Sequence, residues 1–170
     1  MRDVRHRLRQ GAVPPLSGPL EIGELERLPD MGRAVHVLTV AHMATGTYSP
    51  RFDKARLTSL LSAALIKARP DSFFVARLVR GRAVDVIGVV GVGPSFCSAV
   101  GWELGYLAVL PQWQGLGLGR LLVEEAIAFV MAQLPAPAFL LARAAQPAMF
   151  EPFGFRQIDN GAPALMLRSF

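Results

Sequence analysis

Residues 111–120 read PQWQGLGLGR, with glycines at 115, 117 and 119 set between one apolar run, GYLAVL, and another, LLVEEAIAFV. The first run has the character of a strand and the second that of an amphipathic helix, so the glycines stand where the helix must begin. Helix starts ordinarily take Ser, Thr, Asp or Asn as a cap, and each Gly inside a helix costs roughly 1 kcal/mol relative to Ala. Three glycines in alternation are worthwhile only where something approaches the backbone too closely for side chains. A strand feeding a bare-backboned helix start is the unit around which the rest of the chain must be arranged.

The flanking segments supply a sheet and its cover. Residues 20–25 (LEIGEL) alternate apolar and polar positions and predict a strand. Asp30 is placed to cap a helix through AVHVLTVAHMA, residues 43–52 form a loop, and Asp53 opens a second helix, DKARLTSLLSAALIKA, closed by Pro70. Residues 72–79, 84–92 and 102–109 are rich in β-branched and aromatic side chains and predict three strands. RGRA joins the first two as an antiparallel hairpin. After the glycines, residues 121–131 predict a helix with Glu124 and Glu125 on its wetter side, and residues 138–142 a short buried strand. A brief helix over 146–153 and strands near 155–158 and 164–168 complete the chain. The order β-α-α-β-β-β-α-β-α-β-β predicts an α/β chain (α+β by its mixed sheet) with helices on both faces.

A length of 170 residues suits one core. Residues 1–19 form a basic tail and a Pro/Gly linker, and 20–170 a single domain. Hydrophobic residues reach 52% against 18% charged, a surplus that fits a buried homodimer contact. It does not fit a membrane span, because the longest nearly apolar stretch, 126–142, is broken by Gln133, Pro135 and Pro137. No apolar segment follows MRDVRHRLRQ, so no secretory signal is expected, and the lone Cys97 points to a reducing compartment. A cytoplasmic protein without a membrane partner is the expectation. The net charge of +5 is concentrated in the tail, where four arginines face one aspartate within ten residues. No aromatic residue is interleaved there for base stacking, so no nucleic-acid partner is expected. No Cys/His/Asp cluster has metal-ligand spacing, and no metal is expected.

The glycine stretch fails two phosphate-loop patterns. GxGxxG would need Gly at Arg120 or Leu122, and no Gly-Lys-Ser/Thr follows for a P-loop. It does fit Gln/Arg-x-x-Gly-x-Gly/Ala, filled by Gln114, Gly117 and Gly119. The whole string LAVLPQWQGLGLGRLL resembles motif A of the GNAT family of N-acetyltransferases, and AMFEPFGF at 148–155 resembles its motif B. The physical reason stands beside the resemblance: a helix start leaves N–H groups unpaired and partially positive, and a pyrophosphate can rest there if no Cβ intervenes.

The resemblance implies the GNAT fold, a mixed sheet of six or seven strands splayed between the fourth and fifth, with acetyl-CoA in the gap as acyl donor. It implies that the backbones of Leu107, Ala108 and Val109 hold the pantetheine arm. Gln114, Gly115, Leu116, Gly117, Leu118, Gly119 and Arg120 would hold the pyrophosphate, with Phe150 also at the cofactor. The reaction implied is acetyl transfer to an amine of a small molecule or peptide by direct attack, in which the amine must lose a proton. Glu103 is the candidate base, an ionisable residue inside an apolar strand, working through a water; it reads equally as an ion-paired Glu with no role. Tyr106 is a second catalytic candidate or a packed ring, and Tyr48 in the 43–52 loop is placed to line the acceptor pocket together with the 159–163 loop. The chain departs from the family at Phe150, where many members carry Tyr, and at Arg143, where an Asn is frequent. The missing hydroxyl motivates an alternative, a catalytically weak CoA-binding sensor or interaction module.

Overall fold

The computed structural model describes residues 18–44, 52–68, 70–133 and 136–170. Seven strands form one sheet in the order β1-β2-β3-β4-β5-β7-β6. They are β1 (Leu20–Glu24), β2 (Ser72–Arg80), β3 (Ala83–Pro94), β4 (Gly101–Val109), β5 (Phe139–Ala144), β6 (Arg156–Gln157) and β7 (Ala164–Ser169). Every neighbouring pair is antiparallel except β4 with β5. Helices α1 (Leu28–Ala44) and α2 (Lys54–Leu65) cover one face, and α3 (Leu118–Met131) covers the other.

Two apolar layers result. Phe74, Leu78, Val90, Leu104 and Met166 pack beneath Leu122, Val123 and Val130 of α3. Phe73, Val75, Val86 and Val89 pack beneath Val35 and Leu38 of α1 and Leu57 and Leu61 of α2. Adjacent Phe73 and Phe74 thus serve opposite layers, which is why β2 reads as a continuous apolar run rather than an alternating one.

The helix boundaries follow local chemistry with three departures from expectation. Asp53 caps α2 as expected, its carboxylate accepting from the N–H groups of Ala55 at 3.0 Å and Arg56 at 3.1 Å. Asp30 is not the cap of α1, which begins at Leu28 with Pro29 in its first turn. Its carboxylate instead turns inward, is 3% exposed, and meets Arg77 Nε of β2 at 2.8 Å. The helix α3 starts at Leu118, three residues before the expected 121, because left-handed Gly117 forms its N-cap. The expected helix over 146–153 is two 3-10 turns, Pro147–Met149 and Glu151–Phe153, since Pro152 has no N–H to continue a ladder.

The pairing of β4 with β5 positions everything that follows. It runs from Gly101–Phe139 to Leu104–Ala142 and ends there. Beyond Leu104, β4 stays with β3 while β5 stays with β7, so the sheet opens between its two parallel strands.

Candidate functional site

The opening between β4 and β5 leads to the glycine loop, whose alternation now has a cause. Leu116 and Leu118 are buried in the α3 layer at 8% and 1% exposure, while Gly115 and Gly117 are exposed. The leucines anchor the loop and the glycines turn its bare backbone outward. Gly115 (φ +77°) and Gly117 (φ +81°) are both left-handed, a conformation that costs an L side chain roughly 1–2 kcal/mol. The first α-helical bond runs from the N–H of Leu121 to the carbonyl of Gly117 at 3.2 Å, so the N–H groups of Leu118, Gly119 and Arg120 precede it. Their dipoles and the exposed guanidinium of Arg120 give this end of the opening a positive character.

Gln114 plays a part that its side chain, not its backbone, carries. Nε2 donates to the carbonyl of Val109 at 2.9 Å, folding the loop back on the end of β4. Trp113, half-buried against the α3 layer, supports the same turn.

Along β4 a bulge re-aims the strand. Gly91 of β3 faces Gly105 and Val89 faces Ala108, so Tyr106 and Leu107 oppose the single residue Val90. Tyr106 is left-handed (φ +53°), and its ring lies 6.0 Å from Phe52 and 5.8 Å from Phe73, in the layer under α1 and α2. Ring packing offsets the backbone strain. Ala108 and Val109 follow the bulge, paired with Val89 and Gly88 of β3 and with no residue of β5, while Leu107, within the bulge, has no paired residue on either strand; Ala108 is buried, and Leu107 and Val109 are half-buried.

Glu103 sits at the crotch, one residue before the parallel pairing ends. Trp102 and Leu104 point into the α3 layer, so Glu103 faces the opposite side with Tyr106 and Ala108. The apolar burial expected for it is replaced by a polar contact: the group is half-buried and accepts from Ser95 Oγ at 2.8 Å. A second carboxylate lies on this face. A Cβ at Gly93, the direct partner of Glu103 on β3, would overlap the Asp71 carboxylate, which leans across the vacant position. Ser95 and Asp71 carry no sequence signal, because only strand register brings them beside Glu103.

Of the remaining expected residues, Phe150 is 4% exposed and packs edge-on against Phe155 at 5.4 Å, inside the α3 layer. Arg143 is exposed on β5, and its charge helps hold Asp159 below the ordinary carboxylate range. The larger cause there is the Leu165 N–H, which donates to Asp159 at 2.6 Å. Tyr48 and the basic tail through residue 17 lie outside the described residues. Among the described residues, no group of three or more His, Cys, Asp or Glu could hold a metal ion, and no helix is long and apolar enough to cross a membrane.

Comparison with known proteins bears on this geometry. The family model for the acetyltransferase (GNAT) domain matches residues 69–157, just over half of the chain. No curated protein matches. Solved structures share the fold. An acetyltransferase from Streptococcus agalactiae aligns with a TM-score of 0.70 at 15% identity, covering 89% of this chain and 98% of its own. The PaiA N-acetyltransferase of Thermoplasma acidophilum, in complex with coenzyme A, aligns at 0.68 and 17% identity over 89% and 99%. A GNAT family acetyltransferase from Brucella melitensis, in complex with acetyl-CoA, aligns at 0.66 and 20% identity over 89% and 88%.

Proposed function

The chain belongs to the GNAT acetyltransferase family, and from that premise we propose that it transfers an acetyl group from acetyl-CoA to an amine. One observation carries the reading: the β4–β5 pairing ends at Leu104, and the opening it leaves runs to a helix start stripped of side chains at Gly115 and Gly117. The residues present fit the cofactor. A Cβ at Gly115 would meet no atom within 4 Å of the described chain, which leaves that backbone open to a diphosphate.

In this reading the β4 backbone from Leu107 to Val109 holds the pantetheine arm as an added strand would, and the N–H groups from Gly115 to Arg120 hold the diphosphate. Acetyl-CoA supplies the acetyl group as an activated thioester. Glu103, at the crotch, accepts the proton that the attacking amine loses, directly or through one water. Tyr106 shapes the acceptor side of the bulge, with Phe52 and Phe73 beside it. Phe150 contributes shape only and has no proton to give, so solvent would have to protonate the thiolate that acetyl transfer releases.

The acceptor is an amine of a small molecule or peptide, selected by the loop containing Tyr48 and by residues 159–163. Calorimetric titration with acetyl-CoA, followed by release of free CoA across a broad amine panel, tests the proposal. Binding with turnover of at least one amine is expected; absence of binding would sink it. The buried, hydroxyl-free Phe150 favours a second reading, a CoA-binding module without efficient transfer. Binding without turnover of any amine in the panel selects that reading.

A further inference from the structure

We infer that Ser95 is a positioning residue for Glu103, holding one carboxylate oxygen so that the other is presented to the acceptor amine; this rests on the acetyltransferase reading above. Ser95 follows the last residue of β3 and is 8% exposed. Its backbone N–H donates to the carbonyl of Gly101 at 2.8 Å, which locks the residue to the start of β4. Its hydroxyl oxygen accepts the N–H of Cys97 at 3.2 Å and lies 2.8 Å from Glu103 Oε1. A hydroxyl has one proton. With Cys97 donating to the oxygen, that proton is directed to the carboxylate, which has none to give when ionised.

The constraint acts in a crotch that a second side chain also enters. The Asp71 carboxylate reaches across Gly93 on the same face, in the space a side chain would otherwise fill. A three-torsion Glu side chain rotates among several rotamers unless something holds it. The Ser95 hydroxyl, itself fixed at both ends, opposes that rotation. Ser98 secures the same loop, its Oγ accepting from the N–H of Val100 at 3.2 Å, so the hydroxyl is mounted on a braced turn rather than a loose one. Reactions of this kind lose rate steeply when the base is displaced by a fraction of an ångström to an ångström.

The test uses the full chain labelled with 13C-glutamate, the Glu103 carboxylate signal being identified by its loss in Glu103→Gln. At a fixed neutral pH, Ser95→Ala is expected to move that signal, and Ser95→Thr, which keeps the hydroxyl, to leave it in place. With an amine that the wild-type chain acetylates, Ser95→Ala lowers kcat about tenfold at unchanged KM for acetyl-CoA, and Ser95→Thr recovers most of the loss. Should the alanine variant fail to fold, Ser95→Cys preserves the volume with a weaker donor and shifts the signal in the same direction. An unmoved signal in Ser95→Ala, an unchanged kcat, or a threonine variant that behaves like alanine overturns the proposal. Failure of the wild-type chain to bind acetyl-CoA would count against the acetyltransferase reading instead, and the signal comparison still decides whether Ser95 holds Glu103.

Discussion

Gln114 Nε2 donates to the carbonyl of Val109 at 2.9 Å, so the side chain that opens the glycine motif ties the motif to the last residue of β4. The strand and the helix start are thereby held at a set spacing, the spacing over which a cofactor arm and its diphosphate would extend. Gln114→Ala removes one exposed hydrogen bond, worth about 0.5–1.5 kcal/mol. The expected outcome is acetyl-CoA affinity reduced about threefold to tenfold, read by calorimetry, with the thermal midpoint lowered by about 2–4 °C.

Two glycines in the same loop separate backbone conformation from steric clearance. Gly117 is left-handed, and Gly117→Ala should cost roughly 1–2 kcal/mol of stability while abolishing measurable acetyl-CoA binding. Gly119 is an ordinary helical residue, where an added Cβ would meet Met149 Sδ at 3.6 Å, a normal contact. Gly119→Ala should therefore raise the thermal midpoint by about 2 °C, through helix propensity, and leave affinity intact. Equal behaviour of the two variants would contradict the assignment of Gly117 to the helix cap.

Glu103→Gln keeps the shape of the crotch and removes the proton acceptor. Turnover of a responsive amine should fall by about a hundredfold or more, with acetyl-CoA binding unaffected. Loss of binding in step with turnover would place Glu103 in the cofactor site rather than at the acceptor.

The buried pair Asp30–Arg77 joins α1 to β2 on the face covered by α1 and α2, and Arg77 Nη2 also donates to the carbonyl of Glu24 at 2.9 Å. Arg77→Met leaves an aspartate that is 3% exposed with only the 3.4 Å contact to Arg33. Urea unfolding should show a loss of about 3 kcal/mol, because the buried charge keeps only the longer pairing with a half-exposed arginine. Replacing an exposed arginine, Arg156→Met, should cost almost nothing by the same measurement.

Asp159 braces the 159–163 loop by accepting from Leu165 at 2.6 Å and from Gly161 at 3.2 Å. These donors, Leu165 first, hold its carboxyl below the ordinary value against a partial desolvation, with the Arg143 charge adding to them. The folded state thus binds this proton less readily than the unfolded chain does. Its stabilisation is complete above the ordinary aspartate value of about 4 and is lost as pH falls through the lower folded value. The acid limb of the thermal midpoint should be shallower in Asp159→Asn, whose amide oxygen still accepts both bonds but does not titrate.

The element order, the Asp53 cap, the β2–β3 hairpin and the glycine helix start were all readable along the chain, because each depends on residues within a few positions of one another. The glycines at 115, 117 and 119 are the clearest case, whereas the anchoring of the loop by Leu116 and Leu118 emerged only from their burial in the α3 layer. Asp30 looked like a cap for the same local reason, and what overrode it was Arg77, forty-seven residues away. The Tyr106 bulge, the Asp71 carboxylate across Gly93, and the Ser95 hydroxyl on Glu103 have no local signature. Each arises from strand register, a long-range quantity set by how two apolar layers pack on a twisted sheet. The composition of the crotch as two carboxylates and a fixed hydroxyl therefore belongs to the assembled fold, while the bare helix start that faces it was present in ten consecutive letters.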